Sequence, residues 1–369
     1  MAEEDEFGDD EAEFAGLEPF FFDEAEAVAD HEARMRRPEE EARRKEQCER
    51  DLGVHNAAMD KIRRYDPKLR RTHFTRINFV NLCKFDLDEE SPLGPMRDTN
   101  ASIHVDGTVC NEVAGDSANT ASSSHDGGRR FYAGTSANIF TVKIASWDVG
   151  FLIDVYGTVI ARDRLDLKCI YLFQRDRDHA QLIVSKDDSL ILTGPKRGLA
   201  LTDGIYFEVN LRINRGRWHK DEQLSEGLLT LDGGAVRLRD KMVVERDSLD
   251  TQLSKAGGYV CSFDVLQGRF SGSIAACTTS IRNSIVLHDS KVAERMAGNA
   301  NSAMQLLRHV VAVSLKEKLI VTIAARNGDK STIKFTPRAC GGDEKEVTCG
   351  SVKMLVKVTW SIIYRSYLF

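Results

Sequence analysis

From Asn138 onward, apolar and polar residues alternate with a period of two, as in strands that bury one face. Phe140, Val142 and Ile144 fall on one face of the first such segment. Ile205, Phe207, Val209, Leu211 and Ile213 alternate with Tyr206, Glu208, Asn210 and Arg212. Tyr259, Cys261, Phe263 and Val265 repeat the pattern, as do Phe270, Gly272, Ile274 and Ala276, then Leu319, Val321 and Ile323. The last segment sets Met354, Val356, Val358, Trp360 and Ile362 against Lys353, Leu355, Lys357, Thr359 and Ser361. Turn chemistry separates these runs at Asp232-Gly233-Gly234, Asn327-Gly328-Asp329 and Cys340-Gly341-Gly342-Asp343. Roughly ten to thirteen strands and no long amphipathic helix predict an all-β domain over residues 138–364. One-sided alternation favours antiparallel pairing, so the expected form is an antiparallel β-sandwich or an open barrel.

The first third reads differently. Residues 1–30 hold thirteen Asp or Glu and no Lys or Arg, interrupted only by the apolar island Pro19-Phe20-Phe21-Phe22. Such a segment buries too little apolar surface to offset its ordering entropy, so residues 1–60 are expected to be a mostly disordered, partly helical charged leader. Glu39-Glu40-Glu41 faces Arg43-Arg44-Lys45 at i,i+4 spacing, which predicts an exposed helix over 39–64. Pro38 is expected to start or break that helix, not to sit within it. A locally basic stretch follows, Lys61, Arg63, Arg64, Lys68, Arg70, Arg71 and Arg76, and then Ile77–Leu82 reads as a short strand. Residues 98–130 are rich in Ser and Gly and read as a linker. Residues 61–137 thus form a lead-in to the β domain.

Composition narrows the function classes. The 369 residues carry a formal net charge of −6, which gives no global basic footprint for nucleic acid. No apolar run approaches the roughly 20 residues that span a bilayer, so no membrane partner is expected. The acidic start, Met1-Ala2-Glu3-Glu4, is the opposite of a signal peptide. The expected compartment is therefore the cytoplasm, with the nucleus as second choice, and the eight cysteines are expected to be thiols. None of them shows zinc-ligand spacing, so neither metal nor cofactor is expected.

Candidate chemistry is sparse. Thr193-Gly194-Pro195-Lys196-Arg197-Gly198 has two glycines and two cations that could cradle an anion. It leads into Leu199-Ala200-Leu201 and not into a helix N-terminus. The competing reading is a tight turn, with Pro195 fixing φ and a glycine supplying positive φ. Lys196 and Arg197, with Arg70 and Arg71 of the basic stretch, are the candidate anion or partner contacts. Asp154, Asp163, Asp166 and Asp176 could furnish an acid–base pair for a hydrolase or glycosidase, against the reading of solvated loop carboxylates. No HExxH, GxSxG or GxGxxG string is present.

Several strings nevertheless form a signature. Asp154-Val155-Tyr156-Gly157-Thr158-Val159-Ile160-Ala161-Arg162-Asp163, Leu192-Thr193-Gly194-Pro195-Lys196-Arg197-Gly198-Leu199 and Cys349-Gly350-Ser351-Val352-Lys353-Met354 resemble an uncharacterised domain family abundant in grasses. Tyr65-Asp66-Pro67-Lys68-Leu69-Arg70-Arg71 and Asp289-Ser290-Lys291-Val292 extend the likeness over about residues 60–364. The resemblance implies a relation to the region behind the toxin domain of some jasmonate-induced ribosome-inactivating proteins. The toxin's catalytic Glu before a small-small-Arg run has no counterpart here. The nearest string, Ile323-Ala324-Ala325-Arg326, carries an isoleucine that can neither activate water nor stabilise a cation. Members similar to this chain carry a longer insert between Leu249 and Tyr259, so a strand is expected to be missing there and a sheet edge left unpaired.

Taken together, the sequence points to a non-catalytic interaction module, expected to be stress- or defence-linked in a plant. It would engage a protein partner through the leader or a sheet edge. The alternatives are a hydrolase using Asp154–Asp176, and, more weakly, RNA or ribosome association through residues 61–76.

Overall fold

The computed structural model describes residues 24–67, 70–94, 101–103, 109–111, 131–133, 136–144, 150–201, 204–232, 249–256, 259–266, 270–281, 283–292, 304, 306–314, 316–338, 341–362 and 364–366. The chain divides into two compact units, Met1–Lys61 and Ile62–Phe369. The Phe20–Phe22 island and most of the 98–130 linker lie outside the described residues.

The first unit is built on one helix, α1 (Glu24–Ile62), which starts well ahead of the expected position near 39. Pro38 lies inside it, not at its start. A proline in a helix removes one donor and costs about 3 kcal/mol. Strong helix formers on both sides, Ala, Glu, Arg, Lys and Met, offset this over a long segment. Ion pairs Asp30–Arg34, Glu32–Arg36 and Glu46–Arg50 decorate its exposed faces at i,i+4 spacing. Each such pair contributes only a few tenths of a kcal/mol.

The second unit is all-β and antiparallel. A hairpin of β1 (Arg63–Asp66) and β2 (Arg71–Phe74) opens it, and β3 (Ala101–Ile103) pairs with β4 (Val109–Asn111). β5 (Phe131–Ala133) precedes β6 (Ser136–Ile144), β7 (Ile153–Asp163), β8 (Ile170–Arg175), β9 (Gln181–Ile183), β10 (Leu199–Ala200), β11 (Gly204–Asn214) and β12 (Glu222–Asp232). Then come β13 (Leu249–Ala256), β14 (Tyr259–Leu266), β15 (Gly272–Thr278), β16 (Ile285–Asp289), β17 (Val310–Val313) and β18 (Leu319–Ala325). β19 (Lys330–Phe335), β20 (Gly341–Cys349), β21 (Val352–Ile362) and β22 (Tyr364–Ser366) complete the unit, with β22 returning to pair with β5.

These strands make two face-to-face sheet pairs and not one sandwich. In the first, β10-β6-β13 packs on the sheet β12-β11-β7-β8, with β9 added beside β7. The core between them holds Ile139, Val142, Val155, Val159, Leu172, Phe173, Ile205, Val209 and Leu211. In the second, β17-β14-β21-β20 packs on β16-β15-β18-β19 around Ile274, Leu287, Val311, Val321, Ile323, Val356, Val358 and Trp360. The expected antiparallel sandwich architecture is therefore present, and among the described residues no sheet closes into a barrel.

β6 joins the two cores. Its pairing with β13 shifts register between Ile139 and Thr141, at Phe140. That extra residue reverses the alternation. Ile139, Val142 and Ile144 face the first core, while Phe140 enters the second. The expected common face of Phe140, Val142 and Ile144 is thus broken by a bulge that no period-two pattern encodes. Asn138 fastens the joint. Its side chain accepts from the Ala312 amide at 2.8 Å and donates to the Ala312 carbonyl at 2.7 Å.

One other expectation is corrected. Ile77–Leu82 is not a strand. Ile77 and Leu82 are buried, but their backbone is held irregularly by side chains, with the Ile77 amide donating to Glu208. The shortened segment at 249–259 forms β13 (Leu249–Ala256), which pairs along β6 and lies at the edge of its sheet among the described residues.

Candidate functional site

β7 and β11 are the two long central strands of the five-stranded sheet, and their register defines its ends. Ile205 opposes Asp163 at one end, and Asn214 opposes Asp154 at the other. At about 3.3 Å per residue, Asp154 and Asp163 lie roughly 30 Å apart along one strand. The candidate carboxylates therefore divide between two quite different places.

The Asp163 end is closed. Residues 76–91 lie over it as an irregular strap. Arg162 and Glu208 sit on what the alternation assigns as the polar face, yet Arg162 is 0% and Glu208 4% exposed. Arg162 donates through Nε to Glu208 at 2.8 Å and through Nη2 at 2.9 Å, a bidentate pair. Arg76 of the strap donates to the same carboxylate at 2.9 Å and to Asp88 at 2.7 Å. Burial pulls the Arg76 guanidinium down, and the Glu208 and Asp88 carboxylates more than reverse this, leaving it above its ordinary value. The strap's Leu87 carbonyl accepts from Arg162 and from the Cys169 thiol. Burial pushes the pKa of that thiol up, which disfavours the thiolate form.

A second buried group adjoins the first. Arg197, 2% exposed, donates to both oxygens of Asp163 and to Asp166 at 3.1 Å. Asp163 also accepts the Ala200 amide at 2.8 Å, and Asp166 accepts from Ser91. Burial lowers the Arg197 pKa, and the Asp163 and Asp166 carboxylates more than reverse this, leaving it above the ordinary value. Arg197 is thus an internal counter-ion, not a surface anion contact. Lys196 is exposed and pairs with Glu90 of the strap. The Gly-Pro turn that carries them closes tightly. A Cβ on Gly194 would lie 1.8 Å from the Tyr171 carbonyl oxygen, so this glycine serves close approach and not a positive φ.

Parts of the basic stretch are engaged within the fold as well. Arg64 pairs with Glu226 at 3.0 Å, and the Arg63 guanidinium lies 5.8 Å from the Phe74 ring centroid. Arg70 and Arg71 are exposed, and Arg71 lines a shallow groove against β12 with His73, Phe74 and Leu228. Lys68 lies outside the described residues.

The Asp154 end is open. Asp154 is exposed on the outer face of β7, opposite Leu182 of β9. The adjacent loop carries Asp176, whose carboxylate accepts the His179 amide at 2.9 Å and meets its Nδ1 at 2.7 Å. That hydrogen bond holds the Asp176 pKa below its usual range. Asp176, Asp178, His179, Asp188 and Ser189 line a groove of roughly 1030 Å³. Beside it the β11–β12 loop, residues 215–221, projects past the sheet. Asp221 anchors this loop, accepting from Arg177 Nε at 2.7 Å and from the Tyr156 hydroxyl at 2.7 Å. The two donors, Arg177 first, hold the Asp221 carboxyl far below the ordinary range. Trp218 at the loop's tip is 92% exposed, and Leu152, at the entry to β7, is 74% exposed. The sequence offered one signal for this loop, a tryptophan set among Arg215, Arg217, His219 and Lys220, and no periodicity marks it.

Among the described residues, no cluster of His, Cys, Asp or Glu could hold a metal, and no helix is long and apolar enough to cross a membrane. Residues 136–358 match the family described as Domain of unknown function (DUF6598). No curated protein matches the chain. Among solved structures, the chain has a slight likeness to human GIVD cytosolic phospholipase A2 in complex with methyl gamma-linolenyl fluorophosphonate inhibitor and terbium chloride. The identity is 7%, the TM-score is 0.19, and the match covers 63% of this chain and 33% of that one. A likeness this slight carries no argument about fold or activity.

Proposed function

Because the chain belongs to the DUF6598 family, whose description assigns no activity, we propose that it is a non-catalytic interaction module that works through the open end of its five-stranded sheet. The observation that carries this is the fate of the candidate carboxylates. Asp163 and Asp166 share one buried guanidinium, and Asp163 is itself fully buried, whereas an acid–base pair must reach the substrate's protons. Asp154 stands roughly 30 Å from Asp163, beyond the roughly 5–10 Å of glycosidase carboxylates. Asp176 is tied to a solvent-exposed histidine, and no hydroxyl or thiol among the described residues bonds that ring to act as a nucleophile. The open end, by contrast, presents apolar and charged groups together.

In this reading the module belongs to a plant cell, in the cytoplasm or nucleus, with a stress- or defence-linked role. The support is the resemblance of its strings to the region behind the toxin domain of jasmonate-induced proteins, together with five described cysteines that are free. The exposed faces of α1 and the edges of β12 and β13 offer further contacts to a protein partner. The test is turnover. The full chain, incubated with chromogenic glycosides and esters, should match a D176N/H179A variant at background rate. Hydrolysis that disappears in that variant would overturn the reading.

A further inference from the structure

The open end has a composition of its own. Among its described residues, the second unit exposes seven large apolar side chains, Tyr65, Phe79, Leu152, Leu182, Val184, Trp218 and Val286. Four of them gather here. The pairing Asp154↔Leu182 and Asp154↔Asn214 places β9, the start of β7 and the β11–β12 loop side by side. Leu182 opposes Asp154 on the outer face of the sheet, and exposed Leu152 and Val184 lie just beyond the paired ends of β7 and β9, with the Leu152 amide donating to the Ile183 carbonyl. Leu152 holds a φ of 81°. A leucine rarely adopts that conformation, and backbone strain of this kind concentrates at functional surfaces.

Charge accompanies the apolar groups. Residues 215–220 carry Arg215, Arg217 and Lys220 and no carboxylate. The nearby acids are partly spent: Asp221 on Arg177, Glu222 on Arg215, Asp176 on His179, and Asp188 on the amides of Val184 and Ser185. Asp154, Asp178 and Asp187 are exposed as well, so the cations count mainly at the loop tip around Trp218. A tryptophan ringed by Arg and Lys beside exposed leucines is the composition that seats at a lipid headgroup layer. Three of the four apolar residues are aliphatic and offer no π face for stacking bases.

We propose that this end docks on an anionic lipid bilayer, with Trp218, Leu152, Leu182 and Val184 entering the headgroup layer and Arg217 and Lys220 meeting lipid phosphates. This rests on the reading of the chain as an interaction module and names its partner. The bilayer is a surface for peripheral docking, and nothing crosses it.

The experiment uses the full chain with vesicles of phosphatidylcholine alone and vesicles with one quarter phosphatidylserine. The chain should sediment with the phosphatidylserine vesicles, and W218A/L152S should bind about 10-fold more weakly. Emission should shift to the blue on binding in the native chain and not in W218F. Absence of sedimentation with either vesicle, equal binding by W218A/L152S, or tip-dependent capture of a single-stranded oligonucleotide without vesicle binding would each overturn the lipid partner. Those outcomes leave the non-catalytic reading standing as long as the glycosides and esters are not turned over, whereas turnover that depends on Asp176 removes that reading itself.

Discussion

The two ends of the five-stranded sheet are built from the same two strands and treat charge in opposite ways. At the Asp163 end, Arg162, Glu208, Arg197 and Asp163 are all less than 5% exposed, and each is paired. At the Asp154 end, Asp176, His179 and Trp218 lie in solvent, and the Arg177–Asp221 clasp fixes a loop without covering it. The difference teaches that conspicuous charged residues in a β protein need not mark its working surface. A buried pair fixes the path of the chain, here the 76–91 strap, because breaking it leaves an uncompensated charge. Groups free to meet a partner are those the fold leaves unburied.

Mutations can break this contrast. Glu208→Ala strands both Arg162 and Arg76 and should cost about 3–5 kcal/mol in urea unfolding. A cost under about 1 kcal/mol would mean the closed end is not a structural lock. Gly194→Ala forces a methyl against the Tyr171 carbonyl and should lose about 1–3 kcal/mol or more by the same measurement. A neutral result would show that the turn has room to move.

Arg308 sharpens the contrast from a third place, the joint between the cores. It is buried and donates to the Ile139 carbonyl at 2.7 Å, while its Nε and Nη2 have no partner among the described residues. Burial pushes its pKa down to about 10. Arg308→Met should therefore raise stability, by about 1–4 kcal/mol. A folded pKa below the unfolded one means the unfolded state holds more protons between those values. The native chain should thus gain on the variant as pH rises through 10, and a difference constant with pH would contradict this assignment.

At the open end the effects should be small. Trp218→Ala should shift stability by no more than about 0.5 kcal/mol, since the side chain buries almost nothing. A larger loss in thermal unfolding would mean the loop packs against something. The Asp221 carboxyl is depressed, so its clasp contributes fully above the ordinary carboxylate range near pH 4 and is lost only as pH falls below it. The native chain should keep its Trp218 emission unchanged from neutral pH to about pH 4. An earlier transition that also persists in D221N would place its cause elsewhere.

The alternation Ile205-Phe207-Val209-Leu211-Ile213 and Met354-Val356-Val358-Trp360 located β11 and β21 and named their buried faces, because one buried face imposes a period of two on any sequence that forms it. The same alternation assigned Glu208 to the polar face, where it does lie, and could not foresee that a strap more than a hundred residues earlier would cover it. The basic stretch read as a surface feature from composition, whereas Arg64 and Arg76 find their carboxylates at Glu226 and Glu208. Partner choice across such separations depends on geometry that residue type alone does not carry. The bulge at Phe140 escaped for a related reason, since one extra residue reverses which side chains face inward without changing their hydrophobicity.

What the sequence determined by itself was therefore local and repetitive: antiparallel strands, most of their inward residues, the Asn327-Gly328-Asp329 turn, and a helical segment within the charged leader. These follow from patterns that each segment can satisfy alone. Only the tertiary structure decided that there are two cores and not one, that Arg197 is an internal counter-ion, and that one end of the sheet is sealed and the other open. Those outcomes rest on which distant groups are brought together, and burial then gives an ion pair or an exposed tryptophan its meaning.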